Sequence, residues 1–187
     1  MAENYNFSTF CLLILEDNRF IRKLVRELCR GFGFPVIAEA DNVAEATSLL
    51  ENDHFDLAIC DWEMHPVDGA EFVKRVRSKP ESPLRYLPII MLTAHTAVAR
   101  VKTARDLGVT EFLAKPISAK TLLGRICSIV DHPRPFIEAP NYFGPDRRRH
   151  KDVNYAGIER RSVPLPPNGD AAAAAVMPRP LIDNPVT

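Results

Sequence analysis

Five residues with chemistry to offer follow closely on apolar runs. Glu16 and Asp17 come after Phe10-Cys-Leu-Leu-Ile-Leu15, Asp61 closes Leu57-Ala-Ile-Cys60, Thr93 follows Leu87-Pro-Ile-Ile-Met-Leu92, and Lys115 follows Val109-Thr-Glu-Phe-Leu113 by two positions. Each alone has an ordinary explanation: an acidic pair in a solvated turn, a structural aspartate, a Lys-Pro loop. Three acids, one hydroxyl and one lysine, each at the end of an apolar run, are harder to explain separately. Carboxylates brought together repel and raise one another's proton affinity. A divalent cation removes that conflict, and Mg2+ favours oxygen ligands, retaining water beside one or two carboxylates. Asp17 and Asp61 are expected to touch the ion, Glu16 to act through water, and the backbone carbonyl of Glu63 to add a ligand. With its charge offset, Asp61 can attack a phosphoryl group and form an aspartyl phosphate. Positioning and charge neutralisation carry most of that catalysis, with Mg2+ and Lys115 as the positive charges.

The elements that must position these groups are legible in the pattern. The runs ending at Leu15, Asp61, Leu92 and Leu113 are too short for helices and read as buried strands. Phe34–Ala40 reads as a further strand, less apolar and nearer an edge. Between them lie helical patterns. The first carries Phe20, Ile21, Leu24, Val25 and Leu28 on one face and ends at Gly31 and Gly33. The second opens at the capping sequence Asn42-Val-Ala-Glu45 and ends near His54. The third opens at Asp68-Gly-Ala-Glu71, a similar sequence. A fourth runs from about Thr96 to Leu107, and a fifth, capped by Ser118, runs from Ala119 to about Val130. Regular alternation of strands and helices predicts an α/β fold with a parallel sheet covered on both faces. The expected architecture is a flavodoxin-like doubly wound (βα)5 unit with strand order 2-1-3-4-5. In such sheets ligands bind at the carboxyl ends of the strands, where the five residues fall.

Composition narrows the class. The chain has 187 residues and 46% hydrophobic content, enough for one domain with an extension. Lys plus Arg equals Asp plus Glu at 24 each, so no bulk field favours nucleic acid. Cys11, Cys29, Cys60 and Cys127 have no CxxC spacing and read as reduced thiols. No apolar run reaches the roughly 18 residues of a membrane span. The first residues lack the basic start of a signal peptide, so a cytoplasmic location without membrane contact is the expectation.

After Asp131 the pattern changes. Residues 132–187 hold ten of the 16 prolines and the run Ala171–Ala175. They are expected to form a disordered or loosely attached tail behind a domain at residues 10–131. One element occurs twice there. Tyr142-Phe-Gly-Pro-Asp-Arg-Arg148 and Tyr155-Ala-Gly-Ile-Glu-Arg-Arg161 both read Tyr-x-Gly-x-acid-Arg-Arg. The tail holds eight Lys/Arg against six Asp/Glu, a small excess of two. No helix-turn-helix pattern follows, so no DNA-binding domain is expected, and output is expected through contact with an unknown protein target.

The motifs Glu16-Asp17, Asp61-Trp62-Glu63-Met64, Gly69, Thr93-Ala94 and Lys115-Pro116 together resemble the receiver domain of the two-component response-regulator family. The likeness is to its single-domain chemotaxis members, over residues 10–131. The resemblance implies that Asp61 is phosphorylated by a sensor histidine kinase or a histidine phosphotransfer protein, and that Thr93 and Lys115 contact the phosphoryl group. It implies that Phe112 is the aromatic whose rotation reports the phosphorylated state, and that Glu63 and His95 sit where the lifetime of that state is tuned. Two departures stand out: Glu16 occupies a position where Asp is commoner, and in His65-Pro66 the proline is displaced by one. A signalling switch, not an enzyme, is the implied function. A phosphatase of the haloacid dehalogenase type, the first alternative, needs a second Asp at position 63, where this chain has Glu. A docking module that is never phosphorylated, the second, would have no use for the intact acids, Thr93 and Lys115.

Overall fold

The computed structural model describes residues 5–94 and 103–147. Five parallel strands form one sheet in the order β2-β1-β3-β4-β5: β1 (Cys11–Leu15), β2 (Val36–Ala40), β3 (Leu57–Asp61), β4 (Ile89–Thr93) and β5 (Glu111–Ala114). This is the order expected from the sequence, with the less apolar β2 at an edge. β3 starts where its apolar run does, and the other four strands start one or two residues later than theirs. Helices α1 (Arg19–Gly31), α2 (Val43–Asn52), α3 (Gly69–Arg77) and α5 (Ala119–Asp131) connect and cover the sheet. The helix expected from about Thr96 lies largely outside the described residues; its end, 103–106, is helical and is called α4 here.

β1, β3 and β4 are buried almost throughout because helices cover both faces. The period-two alternation of a strand divides the core. Leu13, Leu15, Ala58, Cys60, Ile89 and Met91 meet α2 and α3 on one side. Leu12, Ile14, Leu57, Ile59, Ile90 and Leu92 meet α1 and α5 on the other. Each fully buried Leu or Ile side chain contributes about 1.5–3 kcal/mol, so these strands hold the sheet ends in place.

The helix caps refine the expectation. Asn42 Oδ1 accepts from Glu45 N–H, but the Glu45 carboxylate reaches the N–H of Asp41, one residue before the cap. Asp68 caps α3, whereas Glu71 turns to Arg75 at 3.4 Å. The full reciprocal box is at Ser118 and Thr121. α1 ends at Gly31, and two residues on the chain turns at Gly33, whose φ of 97° favours a residue without Cβ.

The expected loose tail is corrected over its first part. Residues 136–145 form an antiparallel hairpin, β6 (Phe136–Ala139) and β7 (Tyr142–Pro145), turning at Pro140-Asn141. Composition weighted its prolines and hid its aromatics. Phe136 and Ile137 are buried, and Phe136, Phe143 and Tyr86 form a ring cluster with centroids 5.4–5.5 Å apart. Two arginines stack on it: Arg85 over Phe143 at 3.4 Å and Arg77 over Phe136 at 5.1 Å. The buried Arg77 also donates to the carbonyls of Gly108, Arg85 and Leu87. Burial lowers its pKa to about 9, which leaves it charged at neutral pH. Gly108 and Gly144 pack backbone to backbone; a Cβ on Gly144 would lie 2.6 Å from Gly108 Cα. In the first copy of the repeated element, the Tyr142 hydroxyl donates to the Pro145 carbonyl, and Arg147 stacks on the Tyr142 ring and pairs with Asp106 at 3.1 Å. The second copy, the alanine run and the rest of 148–187 lie outside the described residues.

All four cysteines are free. Burial raises the Cys29 thiol to about 12 and the Cys60 thiol well above its usual value.

Two outcomes follow. Phe136→Ala should cost about 3 kcal/mol in urea denaturation, as loss of a buried ring does; a loss within error would show that the hairpin adds nothing to the domain. Iodoacetamide at pH 8 should leave Cys29 and Cys60 unmodified in the native protein and label them after denaturation, which peptide mass spectrometry reads directly.

Candidate functional site

Sheet register assembles the site. Leu15 pairs with Cys60, so Glu16 and Asp61 are the next residues on neighbouring strands. Asp61 pairs with Leu92, and Thr93 with Ala114, which carries the row on to Lys115. Beyond the last strand pair, the Lys115 N–H donates to the Thr93 carbonyl at 2.8 Å, and the Trp62 N–H to the Leu92 carbonyl at 2.9 Å.

Glu16, Asp17 and Asp61 each offer a carboxylate oxygen within 4.8 Å of the others. Glu16 and Asp61 are almost wholly buried, at 1% and 2% exposure, and Asp17 is exposed. Lys115 reaches into the group, with Nζ 2.9 Å from Asp61 Oδ1 and 3.0 Å from Glu16 Oε2. At that distance the Lys115 ammonium occupies the buried Asp61 Oδ1. Burial and the neighbouring Asp61 charge push the Glu16 carboxyl upward, while Lys115 pulls it back. Burial lowers Lys115, but its bonds and charge contacts to Asp61 and Glu16 prevail and raise it. One lysine therefore faces two buried acids and a third at the rim. The all-oxygen donor set of Glu16, Asp17 and Asp61 fits a hard divalent cation.

Local backbone explains why these side chains stay where they are. Asn18 caps α1, and its own N–H donates to Glu16 Oε1 at 3.2 Å. The Asp17 carboxylate accepts the His65 N–H at 3.2 Å, tying the turn after β1 to the turn after β3. The His65–Pro66 and Lys115–Pro116 peptides are both cis. Gly69 closes the Asp61 turn by donating to the Trp62 carbonyl at 3.0 Å. A Cβ at Gly69 would stand 2.0 Å from the Asp61 carbonyl oxygen and 2.7 Å from Cys60 Sγ. That close approach accounts for the glycine physically.

The remaining sequence-derived candidates divide. Thr93 is buried at the end of β4, beside the row of acids. Glu63 is half-buried on the turn after Asp61. Phe112 is half-buried on β5, opposite Met91, and packs on the core cluster of the α2–α3 face. His95 lies outside the described residues. One participant escaped the sequence reading. Arg22, which lies off the apolar stripe of α1, donates to the Glu16 carbonyl at 2.6 Å. Its spacing from Glu16 carries no local signal, because the contact depends on how α1 leaves the sheet.

Replacing Lys115 by methionine, with chelator present, should destabilise the protein by about 3 kcal/mol at pH 7, since two buried acids lose their cation. The direction with pH is fixed. Glu16 is already shifted upward, and losing Lys115 shifts it further. A carboxyl raised in the folded state destabilises when charged and is relieved on protonation. The deficit against wild type should shrink between pH 7 and pH 5 in chemical denaturation; a deficit that grows would contradict the geometry.

Comparison with known proteins adds the relatives. Residues 12–127 match the family model described as the response regulator receiver domain. The chain is 32% identical over 120 residues to chemotaxis protein CheY-3 of Vibrio cholerae, covering 64% of this chain and 91% of that one. It is 31% identical over 120 residues to chemotaxis protein CheY of Pseudomonas aeruginosa, covering 64% and 95%. Among solved structures, the chemotaxis response regulator CheY4 of Vibrio cholerae superposes with a TM-score of 0.60 at 30% identity, covering 65% of this chain and 100% of that one.

Proposed function

Because the chain belongs to the response regulator receiver family, we propose that it is a phosphorylation-activated switch in a two-component system or phosphorelay, with Asp61 as phosphoacceptor. The observation that carries this reading is the buried Asp61 carboxylate at the end of the central strand, with Glu16 and Asp17 oxygens within 4.8 Å and Lys115 Nζ at 2.9 Å.

The donor is a phosphohistidine on a sensor histidine kinase or histidine phosphotransfer protein. An Asp61 oxygen attacks phosphorus as the phosphorus–nitrogen bond breaks, and the imidazole keeps the electron pair of that bond. Asp17, Asp61 and the Glu63 carbonyl would hold Mg2+, with Glu16 acting through water. When bound, Mg2+ neutralises charge on the acids and on the transferring phosphoryl oxygens. Lys115 leaves the Glu16 pair to bond a phosphoryl oxygen, and the Thr93 hydroxyl donates to another. Glu63 and His95 tune how long the phosphoryl group persists.

Those new bonds are enough to throw a switch. Moving an equilibrium from 1:99 to 99:1 requires about 5.5 kcal/mol of differential interaction. Hydrogen bonds to charged groups contribute about 1.5–3 kcal/mol each. Two or three from Thr93, Lys115 and a backbone amide reach that figure. Thr93 moves toward the phosphate and Phe112 packs inward behind it, altering the face made by α4, β5 and α5. The signal leaves by protein contact on that face or on the C-terminal segment. The hairpin touches the same region at Gly108, and Arg147 just beyond it touches Asp106. Among the described residues no helix is long and apolar enough to cross a membrane.

Incubation with acetyl phosphate and Mg2+ should add the mass of one phosphoryl group, and Asp61→Asn should abolish the adduct. Beryllofluoride should shift the NMR signals of Thr93 and Phe112. An adduct that survives Asp61→Asn would refute the assignment, and an absence of change at both residues would refute the switch.

A further inference from the structure

Two of the three pocket acids sit on the turn after β1, and a single side chain grips that turn from outside. Arg22, in the first turns of α1, donates from Nη1 to the Glu16 carbonyl at 2.6 Å. Its Nε lies 3.5 Å from Glu39 Oε2 on β2. On the other side of the same residue, the Glu16 N–H donates to the Ala40 carbonyl at 3.1 Å. Both backbone groups of Glu16 are therefore held, and both restraints end on β2, at Glu39 and Ala40. The peptide unit that Arg22 grips joins Glu16 to Asp17. Its orientation decides whether the exposed Asp17 carboxylate stays within reach of Glu16 and Asp61.

We infer that Arg22 is a positioning residue for the acids that bind the divalent cation, an inference that rests on the magnesium reading given under Proposed function. The simpler account makes Arg22 one of several basic residues on an exposed helix face, beside Arg19, Lys23 and Arg26, paired with Glu39 at the surface. Surface pairs of that kind contribute little. The two accounts predict opposite signs. If Arg22 acts only as a nearby positive charge, its removal eases the approach of a cation and tightens Mg2+. If it holds the Glu16–Asp17 peptide, its removal weakens Mg2+ even though a repelling charge has gone.

The test is a Mg2+ titration of the full chain at fixed ionic strength, read by the fluorescence of Trp62. This is the chain's one tryptophan, buried next to Asp61. Arg22→Ala should raise the Mg2+ dissociation constant roughly tenfold, the scale seen when a partner of a metal-ligating group is lost. Lys23→Ala removes an equal charge from the same exposed helix and should leave the constant unchanged or lower it. Arg22→Lys should recover part of the loss. Circular dichroism melting checks that each variant is folded; should Arg22→Ala fail, Arg22→Gln takes its place with the same expected direction. Binding by Arg22→Ala equal to or tighter than wild type would overturn the inference and leave the magnesium reading intact. Equal weakening by Lys23→Ala would overturn it too. A wild-type protein with no response to Mg2+ would overturn the magnesium reading, and this inference with it.

Discussion

Glu16, Asp17 and Asp61 crowd around a single lysine, and that crowding sets the terms for the rest of the molecule. Two of the acids are almost fully buried, and burying charge is costly unless the group is paired or neutralised. Lys115 contacts both buried carboxylates at about 3 Å, yet one positive charge cannot balance three negative ones. Such a pocket is held together by the fold around it and retains an affinity for further positive charge. On the proposed function, binding a cation, accepting a phosphoryl group and moving Lys115 would leave the sheet as it is, because the strands beneath are fixed by apolar packing on both faces.

That division of labour runs through the whole domain. β1, β3 and β4 are almost wholly apolar and end at the acids and at Thr93, so stability and chemistry occupy successive stretches of the same strands. The irregular turns beyond the strand ends need restraints of their own. Asn18, His65, Gly69 and Arg22 supply them through backbone hydrogen bonds and one close packing contact. None of these side chains supplies a carboxylate to the pocket. Each limits where a carboxylate can go.

The C-terminal hairpin is a second, separate construction. It rests on the buried cation of Arg77, which binds three carbonyls and stacks on Phe136, and on a backbone contact that admits only glycine at positions 108 and 144. Arg77 thereby ties α3, the start of β4, the turn after α4 and the hairpin into one unit. The domain thus carries an added piece near the end of α4 and the start of β5, before the arginine-rich remainder of the chain begins.

Most of the fold was legible because its signals are local. Apolar runs of strand length, capping residues such as Asn42, Asp68 and Ser118, and terminating glycines marked the elements, and their alternation led to the strand order. The pocket was legible for a related reason: a residue that closes a parallel strand must lie on the sheet edge where ligands bind, so Glu16, Asp61, Thr93 and Lys115 could be placed together before any coordinate was known. The hairpin was not legible. Proline content argued for a loose tail, and the packing of Phe136 and Phe143 against Tyr86 joins residues far apart in the chain. Nor was Arg22, whose pattern position marks it as solvent-facing while its guanidinium turns back to a carbonyl. Sequence fixes what depends on neighbours along the chain, through propensity, periodicity and capping. Contacts such as Arg22 to Glu16, Arg77 to Gly108 and Gly108 to Gly144 depend on how finished elements meet in space, and only the tertiary structure decides those.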